Sequence, residues 1–461
     1  MIEILTLDTP SLGDRSYLVS DGTVAVVIDP QRDIDRVLDL AEESGVLITQ
    51  VAETHLHNDY VTGGLALARR VGAEYVGAAD DDVTFARRGV RDGDVLEAGE
   101  LRLRVLHTPG HTFTHLSYVL EDGDARVHGV FTGGSLLFGS TGRPDLFGPQ
   151  HTETLARHQH ASARRLADAL PGTTPVFPTH GFGSFCSATP ARASSSTVAE
   201  ESGANPVLTE DEDAFVAGML AGLGDYPAYY AHMAPLNAAG PRQVEATVPE
   251  RVDPADLRRR IRAGEWVVDL RRRAAYAAGH MPGSLNFGLD GSFVTYLGWL
   301  IPWGTPISLV ADTAADVLTA LRELCRIGID RAEAVVVGDP LRWGGGAISA
   351  FQRVSFTELG QVRAAGHQPL VLDVRRADER RVTAVAGTRF IPLHELPQRL
   401  GELPPNRTVW VHCAAGYRAS IAAGLLEASG RHVVLIDDRF PADGALPEWG
   451  PPVAPAKINT G

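Results

Sequence analysis

Cysteine is scarce in this chain. Its 461 residues hold three, Cys186, Cys325 and Cys413, too few and too scattered for a disulfide framework. A reducing cytoplasm is the expected setting. Nor is there an apolar run long enough to cross a bilayer. The opening Met1-Ile2-Glu3-Ile4-Leu5-Thr6-Leu7 alternates like a strand, with no basic segment before it, so no signal peptide is expected. Basic residues are outnumbered 42 to 57 by acidic ones, for a net charge of −15. That argues against nucleic acid or an anionic membrane as partner and leaves the substrate open. Low-complexity tracts are few and apolar content is 44%, so the chain reads as globular throughout. Its length suggests about three domains.

What is present is histidine in a particular order. Residues 54 to 64 read Thr-His-Leu-His-Asn-Asp-Tyr-Val-Thr-Gly-Gly, with His55, His57 and Asp59 at alternate positions. In an extended or tightly turned segment these side chains point the same way, and imidazole is a common ligand for zinc and iron. Leu47 to Ala52 ahead of them reads as a short buried strand, which puts the cluster at a strand end. Two surface histidines in a polar loop would be the plain alternative, but the pair has company. Thr108-Pro109-Gly110-His111-Thr112-Phe113-Thr114-His115 and Pro178-Thr179-His180-Gly181 bring three more histidines in Gly/Pro turns. Around them the rhythm is α/β: a hairpin at Ser20-Asp21-Gly22, a helix over 33–45 stopped by Gly45, a helix over 64–71, and short strands and turns over 73–106.

Taken in order, His-x-His-x-Asp, Pro-Gly-His-Thr-x-x-His, Thr-Gly-x-x-Leu-x-x-Gly-x-x-Gly-Arg-x-Asp-Leu and Thr-His-Gly resemble the metallo-β-lactamase fold family. Within it the similarity is to the persulfide dioxygenase branch, which includes members fused to rhodanese domains. The resemblance covers roughly residues 1 to 248. It implies an αββα sandwich with metal-binding loops along one edge, and His55, His57 and His111 as metal ligands. His115 and His180 would steady those ligands from behind rather than hold the ion. Arg143 would orient its loop or meet a substrate carboxylate, with Asp145 as its structural partner. A plain ion pair is the alternative for both.

Two positions depart from the family pattern. Gly134 stands where relatives usually carry an Asp that completes the iron site or bridges two metals. Tyr60 stands where two-metal members carry histidine. Both departures remove ligands of a second site, which disfavours a binuclear hydrolase. Three outcomes stay open: a three-histidine face with positions free for water, thiolate or dioxygen; Asp59 replacing the lost carboxylate; or no tightly held metal.

The second half repeats itself. Trp266 to Arg271 corresponds to Leu370 to Arg375, and Ile307 to Asp312 to Thr408 to Cys413. Each unit reads as alternating strands and helices of about domain size. Both resemble the rhodanese family, the first with the hallmark Tyr276-Ala277-Ala278-Gly279-His280-Met281-Pro282-Gly283. In Cys413-Ala414-Ala415-Gly416-Tyr417-Arg418, an apolar strand delivers a cysteine to backbone N–H groups and a helix start. That setting favours anions and lowers a thiol pKa. Arg418 adds positive charge, Gly416 suits a tight loop, and Asp373 and Arg375 are expected to brace it. A thiolate there attacks sulfane sulfur and carries it as a persulfide. The first copy has Asp312 at the cysteine position, so it is expected to be silent. Cys325 is expected to be core.

The fold class expected is therefore α/β: a metallo-β-lactamase αββα sandwich over residues 1–248, an inactive rhodanese-like domain over 249–347, and a rhodanese domain with Cys413 over 348–461. The expected function is iron-dependent oxidation of a low-molecular-weight thiol persulfide to sulfite, coupled to sulfur transfer at Cys413. Partners would be the thiol persulfide, dioxygen, and sulfite or thiosulfate. One Fe(II) per chain is expected, with Zn(II) as the other candidate, and a homo-oligomer. Alternatives are a mononuclear zinc hydrolase of a thioester or lactone, and a metal-free scaffold with sulfurtransferase activity only.

Overall fold

Strand alternation builds the layers. In the computed structural model, which describes residues 1–188, 193–244, 247–343 and 346–442, the strand Asp14–Ser20 sends Tyr17 and Val19 into one apolar layer and Leu18 into another. Val24–Ile28 does likewise, with Val26 and Ile28 in the first layer and Ala25 and Val27 in the second. Successive side chains leave opposite faces of a strand, so a strand apolar at every position must be covered on both sides. Six strands, Glu3–Thr9, Asp14–Ser20, Val24–Ile28, Leu47–Ala52, Glu74–Ala78 and Arg88–Val90, pair in chain order into one sheet. Five more, Val95–Ala98, Leu101–His107, Leu116–Glu121, Val127–Gly133 and Val176–Pro178, form a second.

Tyr17, Val26 and Ile28 of the first sheet share a layer with Leu103, Val105, Tyr118 and Phe131 of the second, so the sheets face each other. Helices Asp35–Ser44 and Gly64–Val71 bury Val37, Ala41, Leu65 and Leu67 on the outside of the first sheet. Pro149–Ala169 and Glu212–Gly222 cover the outside of the second. The result is the expected αββα sandwich. At about 1.5–3 kcal/mol for each large apolar side chain removed from water, the layer between the sheets is its main source of stability. The Asp-Gly hairpin forms as expected: Asp21 accepts from the N–H groups of Thr23 and Val24 at 2.8 and 2.9 Å. Gly45 ends the first helix in the left-handed conformation, φ 67°.

By backbone proximity the chain divides into two units. One holds the described residues up to 244 together with Arg322–Asp330, and the other holds Thr247–Leu321 and the residues from Arg331 on. The second unit contains two five-stranded parallel sheets with the same strand order. The first runs Glu250–Arg251, Ala334–Val337, Ile307–Ala311, Trp266–Asp269, Leu285–Asn286. The second runs Gln352–Val354, Val433–Ile436, Val409–His412, Leu370–Asp373, Arg389–Phe390. Parallel strands covered on both faces read as unbroken apolar runs, as Val409-Trp410-Val411 does.

The pairing corrects one expected equivalence. Asp269 pairs with Val310, and Asp373 with His412. The Leu270 N–H donates to Val310 at 2.9 Å where the Val374 N–H donates to His412 at 3.0 Å. Cys413 therefore corresponds to Ala311, and Asp312 lies one residue beyond. The first repeat still lacks the cysteine, but no carboxylate takes its place.

Candidate functional site

Four loops meet in the first unit, each following a strand: after Leu47–Ala52, Leu101–His107, Val127–Gly133 and Val176–Pro178. They bring His55, His57, Asp59, His111, His115 and His180 into one buried polar chamber. Ring centroids of His55 and His57 lie 4.1 Å apart, those of His55 and His111 4.8 Å, and those of His111 and His180 5.3 Å.

Each ring is tied on its far side. His111 Nδ1 lies 2.9 Å from the Arg143 carbonyl, which only accepts, so the proton is on Nδ1 and Nε2 is bare. The Thr54 hydroxyl donates to Asp29 and faces His55 Nδ1 at 2.8 Å, which leaves His55 Nε2 without a proton and facing His180 Nε2 at 3.2 Å. His57 Nε2 faces Glu53 at 3.1 Å and Asp29 at 3.4 Å, which leaves Nδ1 free. His57 Nδ1, His111 Nε2 and one oxygen of Asp59 are buried without any hydrogen-bond partner. Buried polar atoms are nearly always satisfied, and metal-ligating histidines are oriented by partners on their other nitrogen. The residues present thus fit a metal ion, but the ligand atoms that come together with those of His55 and His57 are those of His180, and His111 groups instead with His180 and Cys186.

His180 lies nearer the middle of the chamber than its expected supporting place implies. It shares sets of mutually close ligand atoms, all within 4.8 Å, with His55 and His57, with His111 and Cys186, and with Asp14 and Asp59. Its Nε2 faces His55 Nε2 at 3.2 Å, and its Nδ1 faces Asp14 at 2.9 Å and Asp59 at 3.2 Å. His115 stacks on His55, accepts from the Gly134 N–H at 3.0 Å, and meets the Thr108 hydroxyl at 3.0 Å.

Electrostatics follow from burial and neighbours. Burial pushes His111 down to about 3. Burial also acts against a charged His57, but the Asp29 and Glu53 carboxylates outweigh it and take the ring up to about 9. Burial raises Glu53 to about 7. Burial and the Asp59 charge raise Asp14 to about 7, while His180, against the cost of burial, holds Asp59 low.

Tyr60 fills its position completely. Its ring stacks on His57 at 4.3 Å and its hydroxyl is 2.9 Å from His57 Nε2. Gly134 has no room for a side chain, because a Cβ there would lie 2.4 Å from the His111 ring. Arg143 is buried and forms a paired fork with Asp145 at 2.6 and 2.7 Å.

Several contributors escaped the sequence reading. Asp29, at φ 51°, gathers Thr54, Thr179 and His57. Asn237 clamps the histidine loop by donating to the carbonyls of His57 and Tyr60, both at 2.9 Å. For Asp29 and Glu53 a signal existed: each is a carboxylate directly after an apolar strand beside the histidines. Asn237 had none.

In the second unit, Val409–His412 leads into Cys413, which is free and buried, and the helix Tyr417–Ala428 follows. Gly416 sits at φ 88°, and a Cβ there would meet the Asp437 carboxylate at 2.1 Å. Asp373 and Arg375 are ion-paired, with Nη2–Oδ2 at 2.8 Å, and Arg375 also donates to the Thr383 carbonyl at 2.7 Å. Arg418 is buried and already paired with Glu379 at 2.7 Å. It lines a recess with Tyr296, Trp299, Val374, Arg376 and His394.

The Metallo-beta-lactamase superfamily profile matches residues 14–180, and the Rhodanese-like domain profile residues 355–442. A hydroxyacylglutathione hydrolase of Maricaulis maris is 33% identical over 189 residues, 40% of this chain and 68% of that protein. The human mitochondrial persulfide dioxygenase ETHE1 is 29% identical over 244 residues, 52% of this chain and 80% of that one. A crystal structure titled metallo-beta-lactamase from Staphylococcus aureus aligns with TM-score 0.66 and 28% identity, covering 73% of this chain and 99% of that one. The chain spans about half to two thirds of the length of the first hydroxyacylglutathione hydrolases it matches.

Proposed function

The chain belongs to the metallo-beta-lactamase superfamily and carries a rhodanese-like domain, and from that premise we propose a two-centre enzyme of sulfur metabolism. Residues 1–248 form the metal-dependent domain, 249–347 a rhodanese-like copy without its cysteine, and 348–461 the sulfur-transferring domain, of which residues 443–461 lie outside the described part.

The first centre oxidises a low-molecular-weight thiol persulfide. One persulfide, one dioxygen and one water give one thiol, one sulfite and two protons. His55, His57 and His111 would hold a single ferrous ion, which supplies the redox partner dioxygen requires. The protein's own part is placement. Glu53 and Asp29 hold the His57 ring, the Arg143 carbonyl fixes the His111 tautomer, and Asn237 fixes the loop. At the second centre the Cys413 sulfur takes up sulfane sulfur and passes it to sulfite, giving thiosulfate, or to another thiol.

The observation that carries this reading is Tyr60. Its ring and hydroxyl occupy the place of a second-metal ligand, against His57, and Gly134 leaves no bridging carboxylate. A hydrolytic two-metal centre lacks two of its ligands at positions 60 and 134, while a single-ion centre lacks only the carboxylate at position 134. The human persulfide dioxygenase relative and the rhodanese-like domain in the same polypeptide point the same way. Hydrolysis of a glutathione thioester is the second reading, favoured by the hydroxyacylglutathione hydrolase relatives. The test is oxygen uptake by iron-loaded protein with glutathione persulfide, alongside thioester hydrolysis by zinc-loaded protein. Stoichiometric oxygen uptake with sulfite formation is expected. No uptake together with thioester turnover would replace the first reading by the second.

A further inference from the structure

Cys186 has no place in the chemistry described so far, and its surroundings are not those of a core cysteine. It lies six residues past His180 and is wholly buried, yet it belongs to none of the described apolar clusters. Its neighbours are polar. Its backbone N–H donates to Ser184 Oγ at 3.1 Å, and its carbonyl accepts from the Arg143 N–H at 2.8 Å. Ser184 in turn donates to Asp59 at 3.2 Å. The loop from His180 to Cys186 is thus fastened to the chamber from two sides.

Three ligand atoms converge there. A nitrogen of His111, a nitrogen of His180 and the Cys186 sulfur all lie within 4.8 Å of one another. His111 Nε2 is buried and has no partner, and the same holds for one oxygen of Asp59. An imidazole lone pair and a carboxylate oxygen left unpartnered in one buried chamber are costly unless something joins them. Nothing at position 134 does, since the His111 ring occupies the space a side chain would need.

We propose that Cys186 is a metal-ligating thiolate, forming with His111 and His180 a nitrogen–nitrogen–sulfur site that replaces the missing carboxylate at position 134 by a sulfur from the next strand's loop. The thiol would lose its proton to solvent as the metal–sulfur bond forms. A site of two imidazoles and a thiolate takes a borderline-soft divalent ion such as zinc, iron or cobalt, and discriminates against magnesium and calcium. The proposal rests on the chamber being a metal site and on nothing about the reaction it performs.

The test uses cobalt(II) as probe. The full chain carrying Cys325→Ser and Cys413→Ser, stripped of metal, has Cys186 as its only thiol. One equivalent of cobalt is expected to give a thiolate-to-cobalt charge-transfer band in the near ultraviolet beside the visible d–d bands. That band should vanish when Cys186→Ser is added. Cobalt bound with d–d bands but no charge-transfer band overturns the proposal and leaves the metal chamber standing. No cobalt bound at all overturns both. Should the serine variants unfold, X-ray absorption on the unmutated protein with one equivalent of zinc decides. A sulfur neighbour at about 2.3 Å is expected, and nitrogen and oxygen neighbours alone at about 2.0–2.2 Å overturn it.

Discussion

Restoring the family carboxylate at position 134 should damage the site rather than repair it. In Gly134→Asp the new Cβ would lie 2.4 Å from His111 Cδ2 and 2.7 Å from Cγ, well inside contact distance. The ring cannot easily retreat. On its other side a Cβ placed on Gly142 would come within 2.6 Å of His111 Nδ1, and the Gly142 N–H is bonded to the Gly134 carbonyl at 2.8 Å. His111 is thus sandwiched between two glycine backbones and held by the Arg143 carbonyl at 2.9 Å. Forcing it aside costs the overpacking strain plus that hydrogen bond, about 2–4 kcal/mol together. For a unit of this size that is a fall in melting temperature of about 5–15 °C. Metal content should drop with it, because His111 Nε2 no longer faces its partners. Calorimetry and elemental analysis of the variant beside the unmutated protein measure both. A Gly134→Asp protein that melts at the same temperature and holds metal more tightly would show that the ring does not occupy that space, and the account of the missing carboxylate would fail.

Three further outcomes are expected. Gly416→Ala demands a left-handed backbone of a residue with a Cβ and drives it into Asp437, so about 2–4 kcal/mol of stability should be lost in the second unit, with sulfur transfer at Cys413 impaired more than metal content. His412 is buried between Phe356 and Phe440, and burial lowers it from 6.5 to about 4 despite the Asp373 charge nearby. Between those values the unfolded chain takes up the proton and the folded one does not, so stability of the second unit should fall by up to about 3 kcal/mol as pH drops through that window. Denaturant titrations from pH 7 to 4 check this, and His412→Leu should flatten the dependence. Asp269→Asn and Asp373→Asn each strip a buried arginine of its carboxylate and should each cost about 3–5 kcal/mol, read from the thermal transitions of the two variants.

The sandwich was legible because its strands alternate and its turns carry the residues their geometry needs, as Asp21-Gly22 and Gly45 show. The histidines were legible because their spacing at strand ends is itself the pattern of a ligand set. What stayed hidden depends on contacts between distant segments. Asn237 reaches the histidine loop from 180 residues away in the chain, and no local feature of its helix marks it. Cys186 was visible only as one of three scattered cysteines. Its distance from His180 becomes meaningful once the turn between them folds back on Asp59. The repeat register was misread by one residue for a different reason. Ile307-Ser308-Leu309-Val310 and Val409-Trp410-Val411-His412 are covered on both faces, so nothing in their pattern fixes where one aligns on the other.

The two sheets of the second unit separate what the fold requires from what the chemistry requires. In both, an arginine two residues after the strand's aspartate chelates it, with Nη2–Oδ2 at 2.7 Å in the first and 2.8 Å in the second. In both, the same guanidinium reaches the carbonyl eight residues further on, Gly279 at 2.9 Å and Thr383 at 2.7 Å. The first repeat keeps this brace although Ala311 stands where the nucleophile would be. A feature kept without the cysteine cannot owe its presence to the cysteine. Asp373 and Arg375 therefore hold the strand and the following turn, and the parts peculiar to the second repeat are Cys413, the left-handed Gly416 and the Arg418–Glu379 pair. Because Arg418 already has its carboxylate, an anionic sulfur donor approaching Cys413 would compete with Glu379 for it. The Arg376 N–H donates to the same carboxylate at 2.9 Å.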